Sequence, residues 1–412
     1  MLETSIILYE ISLMIFFAIV GYLIAKKINK PMGMIIIIIG ILIGPSFLGL
    51  IDYNETIAVL AKIGSIIILF IAGLSTDFRE IFTRKSFLIG TVGGVFSFAG
   101  GALAGIALGF DATTSIFIGA ALSATCIGTA SATLKGIGKI NTETAKIILG
   151  AGVISDVIAL FILSTEMYSP SGISIMSVMT TLTFCVLFFI FTFFIGDKML
   201  SKLIDYFDRH FGVETPKATF MLGMGLVFGF AALAEFIGLS AIVGSFFAGL
   251  ALSKSFNAKF FHTGAEYVES IFSAIFYISI GIVVSISAVF SLWYAVLIIT
   301  AMAIATKTIG STALSKKLKI EKKHAARIGM GLTTRGTVAS VIALQGFVLG
   351  FLTQGVYSLI VFTSLLTTII AYLYLDYSFK GDEKKNIESH MSKEIKITKT
   401  KKTKNRIIEK KK

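Results

Sequence analysis

The sequence is poor in the residues that form covalent or metal cross-links. It has two cysteines among 412 residues, and Cys126 and Cys185 both lie within apolar stretches. This usage excludes a disulfide framework and a cysteine-based metal site. The four histidines are scattered and show no ligand spacing. We therefore expect no cofactor and no resident metal.

Charged residues are also scarce. They make up 15% of the chain, whereas 55% of it is hydrophobic, and soluble domains have about 25% and 45–50% respectively. The runs 6–25, 57–75 and 356–375 contain at most one charge each, and about 20 residues cross a hydrocarbon core of ~30 Å. The first run is too long for the core of a signal peptide, so we interpret it as a retained span.

Cutting the chain at charges and turn residues predicts an all-α polytopic membrane protein of about thirteen transmembrane helices. The predicted spans are 6–25, 33–51, 57–75, 87–109, 113–134, 145–166, 173–196, 218–238, 239–253, 266–289, 291–313, 325–350 and 354–375. Because cytoplasmic loops are rich in lysine and arginine, the loop charges predict the orientation. Basic residues cluster in every second loop, at 26–30, 79–85, 135–139, 198–209, 254–259 and 316–323. The N-terminus is thus predicted outside and the C-terminus in the cytoplasm, with the protein in the cell membrane.

The C-terminal segment differs from the rest of the chain. Residues 380–412 contain 13 Lys or Arg and 5 Asp or Glu. We predict a transmembrane domain over 1–378 and, over 379–412, a disordered cytoplasmic tail that is attracted to anionic lipid. Nucleic-acid binding is the competing interpretation of this charge, and we expect no nucleic-acid partner.

Three charges lie deep in predicted spans, where they are costly and usually functional. They are Asp156 in span 6, Lys307 in span 11 and Arg335 in span 12. A lone buried carboxylate is a candidate ligand for both a proton and a cation, so Asp156 is the strongest of the three. For Lys307 and Arg335, a buried ion pair that only fixes helix packing is an equally good interpretation.

Two spans carry small polar residues and glycines at their centres. Span 5 contains Thr125, Cys126, Gly128 and Thr129, and span 12 contains Thr333, Thr334 and Gly336. Such residues also serve ordinary helix packing in membranes, but these two spans are seven apart and therefore run in opposite directions. Paired interrupted helices in opposed halves are typical of inverted-repeat transporters, in which the ion binds where the interruptions meet.

Several motifs in order resemble those of the monovalent cation:proton antiporters, closest to the NapA-like and Kef-like branch. They are GILIGPSFLGL (40–50), LFIAGLSTDFREI (69–81), the long stretch 121–160, GLSAIVGSFFAGLAL, IFYISIGI, ATKTIGS and GMGLTTRGTVAS. The resemblance covers about residues 10–375. It implies a homodimer in which a core subdomain moves against a dimerisation subdomain.

The resemblance also implies roles for individual residues. Asp156 is then the carboxylate that binds Na+ or a proton, and Thr125 helps to coordinate the cation. Their neighbours Ser155 and Cys126 are included as candidate site residues. Lys307 is the family's core lysine.

Three positions depart from the family pattern by losing an acidic residue. Ser155 stands where electrogenic relatives have a first aspartate, Thr337 replaces a glutamate after Arg335-Gly336, and Ser75 ends the LFLAGLE-type motif. A site with one carboxylate predicts electroneutral exchange of one cation for one proton. Sodium is the first choice of cation, with K+ or Li+ as alternatives.

The same residues leave other functions open. A Kef-type K+ efflux subunit, gated by a separate cytoplasmic partner, is the alternative transport function. An organic-anion symporter of related architecture is disfavoured by the motif series. An enzyme is not expected, because no Ser/His pair, His-Glu-x-x-His or Asp pair lies at membrane depth.

Overall fold

The computed structural model describes residues 2–28, 30–74, 83–168, 216–237, 239–253 and 258–380, with isolated positions between 180 and 210. These continuous ranges are all-helical and contain fifteen helices. The helices are α1 Leu2–Ile28, α2 Met32–Ile43, α3 Glu55–Leu74, α4 Arg84–Ala107, α5 Ala112–Ser123, α6 Ile127–Gly136, α7 Glu143–Tyr168, α8 Pro216–Phe236, α9 Ala241–Leu252, α10 Ala258–Val283, α11 Ile286–Ser291, α12 Trp293–Lys317, α13 Lys322–Gly331, α14 Thr337–Val348 and α15 Gln354–Lys380.

Seven of the described helices are long and apolar enough to cross a membrane, namely α1, α3, α4, α7, α10, α12 and α15. This confirms the all-α membrane class. The total of thirteen spans stays a prediction, since most of span 7 (173–196) lies outside the described residues, as do tail residues 381–412. Shorter apolar helices occupy the predicted positions of several other spans.

The predicted span 33–51 is too long, because α2 ends at Ile43. Pro45 has no N–H for a helical hydrogen bond, and residues 44–48 form a bend and a turn. The hydroxyl of Ser46 donates to the backbone oxygen of Val284 at 2.5 Å. This turn therefore joins the end of α2 to the segment that follows α10.

The helices pack as two bundles. The first bundle consists of α1–α3 and α8–α10, and the second of α4–α7 and α12–α15. Close backbone contacts hold the first bundle together where α3 crosses α9. A Cβ atom on Gly73 would lie 2.2 Å from the Phe246 carbonyl oxygen, and one on Gly249 would lie 2.1 Å from that of Phe70. Only glycine permits helices to approach this closely, as small residues generally do in membranes.

Candidate ion-binding site

Two interruptions of helical structure lie against each other in the second bundle. Three residues separate α5 from α6, and five separate α13 from α14. The hydroxyl of Thr125 donates to the backbone oxygen of Leu332 at 3.0 Å. The backbone N–H of Cys126 donates to the backbone oxygen of Thr334 at 2.9 Å. Backbone groups that helices would otherwise satisfy are therefore bonded between the two interruptions.

Asp156 lies beside the first interruption. Its side chain projects from α7 and only 3% of the residue is exposed. One carboxylate oxygen, Oδ1, accepts the backbone N–H of Thr125 at 2.8 Å. Among the described residues, no hydrogen-bond donor contacts the other oxygen, Oδ2. A buried carboxylate with one free oxygen can take up a proton or contribute to a cation site.

Ser155 points in another direction. Its hydroxyl donates to the backbone oxygen of Gly90 at 3.1 Å, so it binds α7 to α4. The structure thus brings Asp156 and Thr125 together and engages the Ser155 hydroxyl elsewhere. The hydroxyl oxygen of Thr125 retains its lone pairs, because Thr125 acts as the donor to Leu332.

Both buried cations contact the C-terminal end of α5. Lys307, which is fully buried, donates from Nζ to the backbone oxygen of Ser123. Arg335 donates from one guanidinium nitrogen to the backbone oxygen of Leu122 at 2.6 Å and to the hydroxyl of Ser97 at 3.1 Å. Positive charge is stabilised at a helix C-terminus, where backbone oxygens lack partners.

Neither cation forms an ion pair in the part of the chain that the structure describes, since no carboxylate oxygen lies within 4.0 Å of either. The buried ion pair considered from sequence for Lys307 and Arg335 is therefore not the arrangement observed there. Backbone oxygens take the place of a carboxylate partner. The site consequently has one carboxylate, that of Asp156, and two cations bound to the end of a helix.

The second interruption is held by its own side chains and by α15. The hydroxyls of Thr333 and Thr334 donate back to the oxygens of Met330 at 2.7 Å and Gly331 at 2.9 Å. Thr368 on α15 accepts the Arg335 N–H at 3.0 Å and donates to the Arg335 oxygen at 2.5 Å. Thr333 and Thr334 thus close the last turn of α13.

A polar chain crosses from the second bundle to the first. Thr129 donates to the sulfur of Cys126 at 3.0 Å, and that sulfur lies 3.5 Å from the hydroxyl of Thr337. The Thr337 hydroxyl in turn lies 3.1 Å from that of Tyr277 on α10. Gly336 fits tightly here, because a Cβ atom on it would lie 2.9 Å from the Cys126 sulfur. Gly128 lies in the first turn of α6.

A cavity of about 170 Å³ separates the bundles beside this chain. We call it the Tyr277 cavity. Its polar lining residues are Cys126, Thr129, Glu269, Tyr277, Arg335, Thr337, Ser340, Ser364 and Thr368. Cys126 adjoins the residue whose N–H binds Asp156, so the cavity leads toward the carboxylate.

A second cavity, of about 220 Å³, lies at the other end of α14. We call it the Lys62 cavity. Its lining includes Lys62 and Glu235, which form an ion pair at 2.8 Å. The site therefore has a cavity toward each end of the interrupted segment.

Two residues beside the site were missed from sequence. Tyr277 lies in the quoted motif IFYISIGI, and its hydroxyl, within an otherwise apolar stretch, was the available signal. Glu269 is an acidic residue inside predicted span 10. Because Glu269 lies near the beginning of that span, the sequence alone does not distinguish it from a charged residue at the membrane surface.

Comparisons with known proteins agree with this architecture. The sequence profile described as "Sodium/hydrogen exchanger, transmembrane" matches residues 14–376. The Na(+)/H(+)-K(+) antiporter GerN of Bacillus cereus is 30% identical over 87% of the chain and 92% of its own length. A Na(+)/H(+) antiporter of Enterococcus hirae is 28% identical over 88% and 95%.

The fold is similar to that of a solved structure, the sodium proton antiporter MjNhaP1 from Methanocaldococcus jannaschii. The TM-score is 0.73 at 16% identity, and the similarity covers 92% of this chain and 98% of the other. At that identity the similarity bears on the fold alone.

Proposed function

Because the chain belongs to the sodium/hydrogen exchanger family, we propose that it exchanges Na+ for protons across the cell membrane. The names of its relatives support this activity, and GerN's name adds K+ as a further cation. The observation that carries the proposal is Asp156, a buried carboxylate with a free oxygen where two interrupted helices meet. The transported ions are the only ligands the proposal requires.

Competition at Asp156 couples the two ions. An ionised carboxylate away from water is unfavourable, and either a proton or a cation neutralises it. Since the two cannot occupy the same oxygens together, binding one releases the other. We propose alternating access in which only the occupied, neutral site passes between the Tyr277 cavity and the Lys62 cavity.

The two bundles correspond to the subdomains in this proposal. The second bundle, which holds Asp156, is the moving core, and the first is the dimerisation subdomain of a homodimer. The N-terminus lies outside and the C-terminus inside, so the basic tail faces anionic lipid.

The Kef-type alternative is not supported, because the similar proteins described above are named Na+/H+ antiporters. No gating partner is therefore proposed.

Substitution of Asp156 by asparagine tests the mechanism. The amide keeps the shape of the carboxyl group but cannot titrate, so cation-driven proton flux in proteoliposomes should fall to the level of empty liposomes. The protein should still elute as a folded species in size-exclusion chromatography. The matched control is Asp111→Asn, because Asp111 caps α5 by accepting the Thr114 N–H and asparagine caps helices equally well. Normal cation-driven proton flux in the Asp156→Asn variant would refute the single-carboxylate mechanism.

A further inference from the structure

A second carboxylate faces the Tyr277 cavity from the opposite bundle. Glu269 lies on α10, two helical turns before Tyr277, and lines the cavity. In the described part of the chain, it has neither a hydrogen-bond nor an ion-pair partner. Acidic side chains within membrane spans are costly and usually line ion pathways. The unpaired carboxylate of Glu269 is therefore a candidate ligand for an ion in this cavity.

The wall opposite Glu269 supplies further oxygen atoms. Thr337 and Ser340 begin α14 and line the same cavity. The Ser340 residue is only 1% exposed, and its hydroxyl has no hydrogen-bond partner among the residues described. Carboxylate and other oxygen ligands suit hard cations. The unpartnered hydroxyl independently indicates a missing ligand in this space.

The size of the cavity determines the state of such a cation. Water occupies about 30 Å³ per molecule in the liquid, and the cavity volume is about 170 Å³. There is room for a cation with several of its water molecules. Asp156, at 3% exposed, instead requires an almost dehydrated ion.

Formal charge also favours a role for Glu269. Near the interruptions, Lys307 and Arg335 carry two positive charges against the single negative charge of Asp156. This excess would repel a cation that enters the Tyr277 cavity. The carboxylate of Glu269 brings the formal total for these four residues to zero.

We propose that Glu269, with the hydroxyls of Thr337 and Ser340 across the cavity, binds a partly hydrated monovalent cation on its way to Asp156. We call this the cavity site. It rests on the proposed exchange function and adds a second site on one side of the protein only. Glu269 thereby sets the apparent affinity for Na+ at the face that opens into the Tyr277 cavity.

Exchange measured from each face tests the sidedness. In oriented proteoliposomes, Glu269→Gln should raise the KM for Na+ at the cavity face about five- to tenfold, as expected for loss of one negative charge from a partly wet site. The maximal rate and the KM at the other face should change less than about twofold. Glu269→Asp should restore most of the affinity, and the control Asp111→Asn, which removes a carboxylate but keeps the cap of α5, should leave both KM values unchanged.

Ionic strength separates an electrostatic role from a structural one. Choline chloride at about 1 M shortens the screening length to ~3 Å, so it should shrink the KM difference between the wild type and Glu269→Gln. A difference that is independent of salt, equal at both faces or confined to the maximal rate would overturn the proposal.

A binding measurement makes the result independent of exchange. Purified Asp156→Asn protein should still broaden the sodium NMR line, and adding Glu269→Gln should remove that broadening. Equal broadening by both proteins would refute the cavity site. Absence of exchange by the wild type would instead refute the proposed function. The NMR comparison of the two variants would still test sodium binding at the cavity site, because it does not depend on exchange.

Discussion

Charge balance in the transport cycle can be predicted from the contacts around Asp156. The site has one carboxylate, and the neighbouring Ser155 hydroxyl is bonded to Gly90 on α4. Lys307 donates to the backbone oxygen of Ser123 at the end of α5, where a helix terminus stabilises the ammonium form. If Lys307 keeps its proton throughout, one cation exchanges for one proton and the cycle moves no net charge.

The membrane voltage would have a large effect on exchange if the cycle moved net charge, so this prediction can be tested. Each elementary charge that crosses the membrane is worth about 2.3 kcal/mol per 100 mV. That energy corresponds to nearly two decades in an equilibrium constant. With the voltage clamped by valinomycin and K+, the end-point of Na+-driven exchange should therefore not move between 0 and about −100 mV.

The competing account assigns a second proton to Lys307. Burial disfavours a charged ammonium, and no carboxylate within 4.0 Å offsets this among the described residues. Transport current on a solid-supported membrane distinguishes the two accounts. A steady current in the wild type that is lost in Lys307→Gln but kept in Lys316→Gln, an exposed lysine on the same helix, would refute electroneutral exchange.

The remaining predictions concern Thr125 and the tail. Thr125→Ala removes the hydrogen bond to the Leu332 oxygen, a loss worth about 1–1.4 kcal/mol, and should raise the KM for Na+ about five- to tenfold with a smaller effect on maximal rate. Thr133→Ala is the control, because the Thr133 hydroxyl has no hydrogen-bond partner in the described structure. An unchanged KM in Thr125→Ala would show that Thr125 does not contribute to the cation site. Deletion of residues 381–412 should leave exchange in proteoliposomes intact, since the described site and the lining of its two cavities lie within 31–368. A folded truncation that shows no exchange at any pH tested would make the tail a required regulator.

The membrane class and the position of the main candidate could be predicted without a structure. Long uncharged runs have to be helices in a bilayer, because backbone groups find no water there. The same cost makes a charge such as Asp156 conspicuous in the sequence. Local chemistry also marks the two interruptions, where small hydroxyl residues and glycines gather. The roles of these residues in transport stay predictions.

Contacts between distant segments were decided by the tertiary structure. Lys307 and Arg335 both bind the end of α5, which lies about 180 to 210 residues away in sequence. Composition cannot reveal this, because the partners are backbone oxygens, which every residue has. Similarly, Glu269 and Thr337 share a cavity only because α10 lies opposite α14. Periodicity predicts which residues form a helix, but packing between helices determines which polar atoms meet.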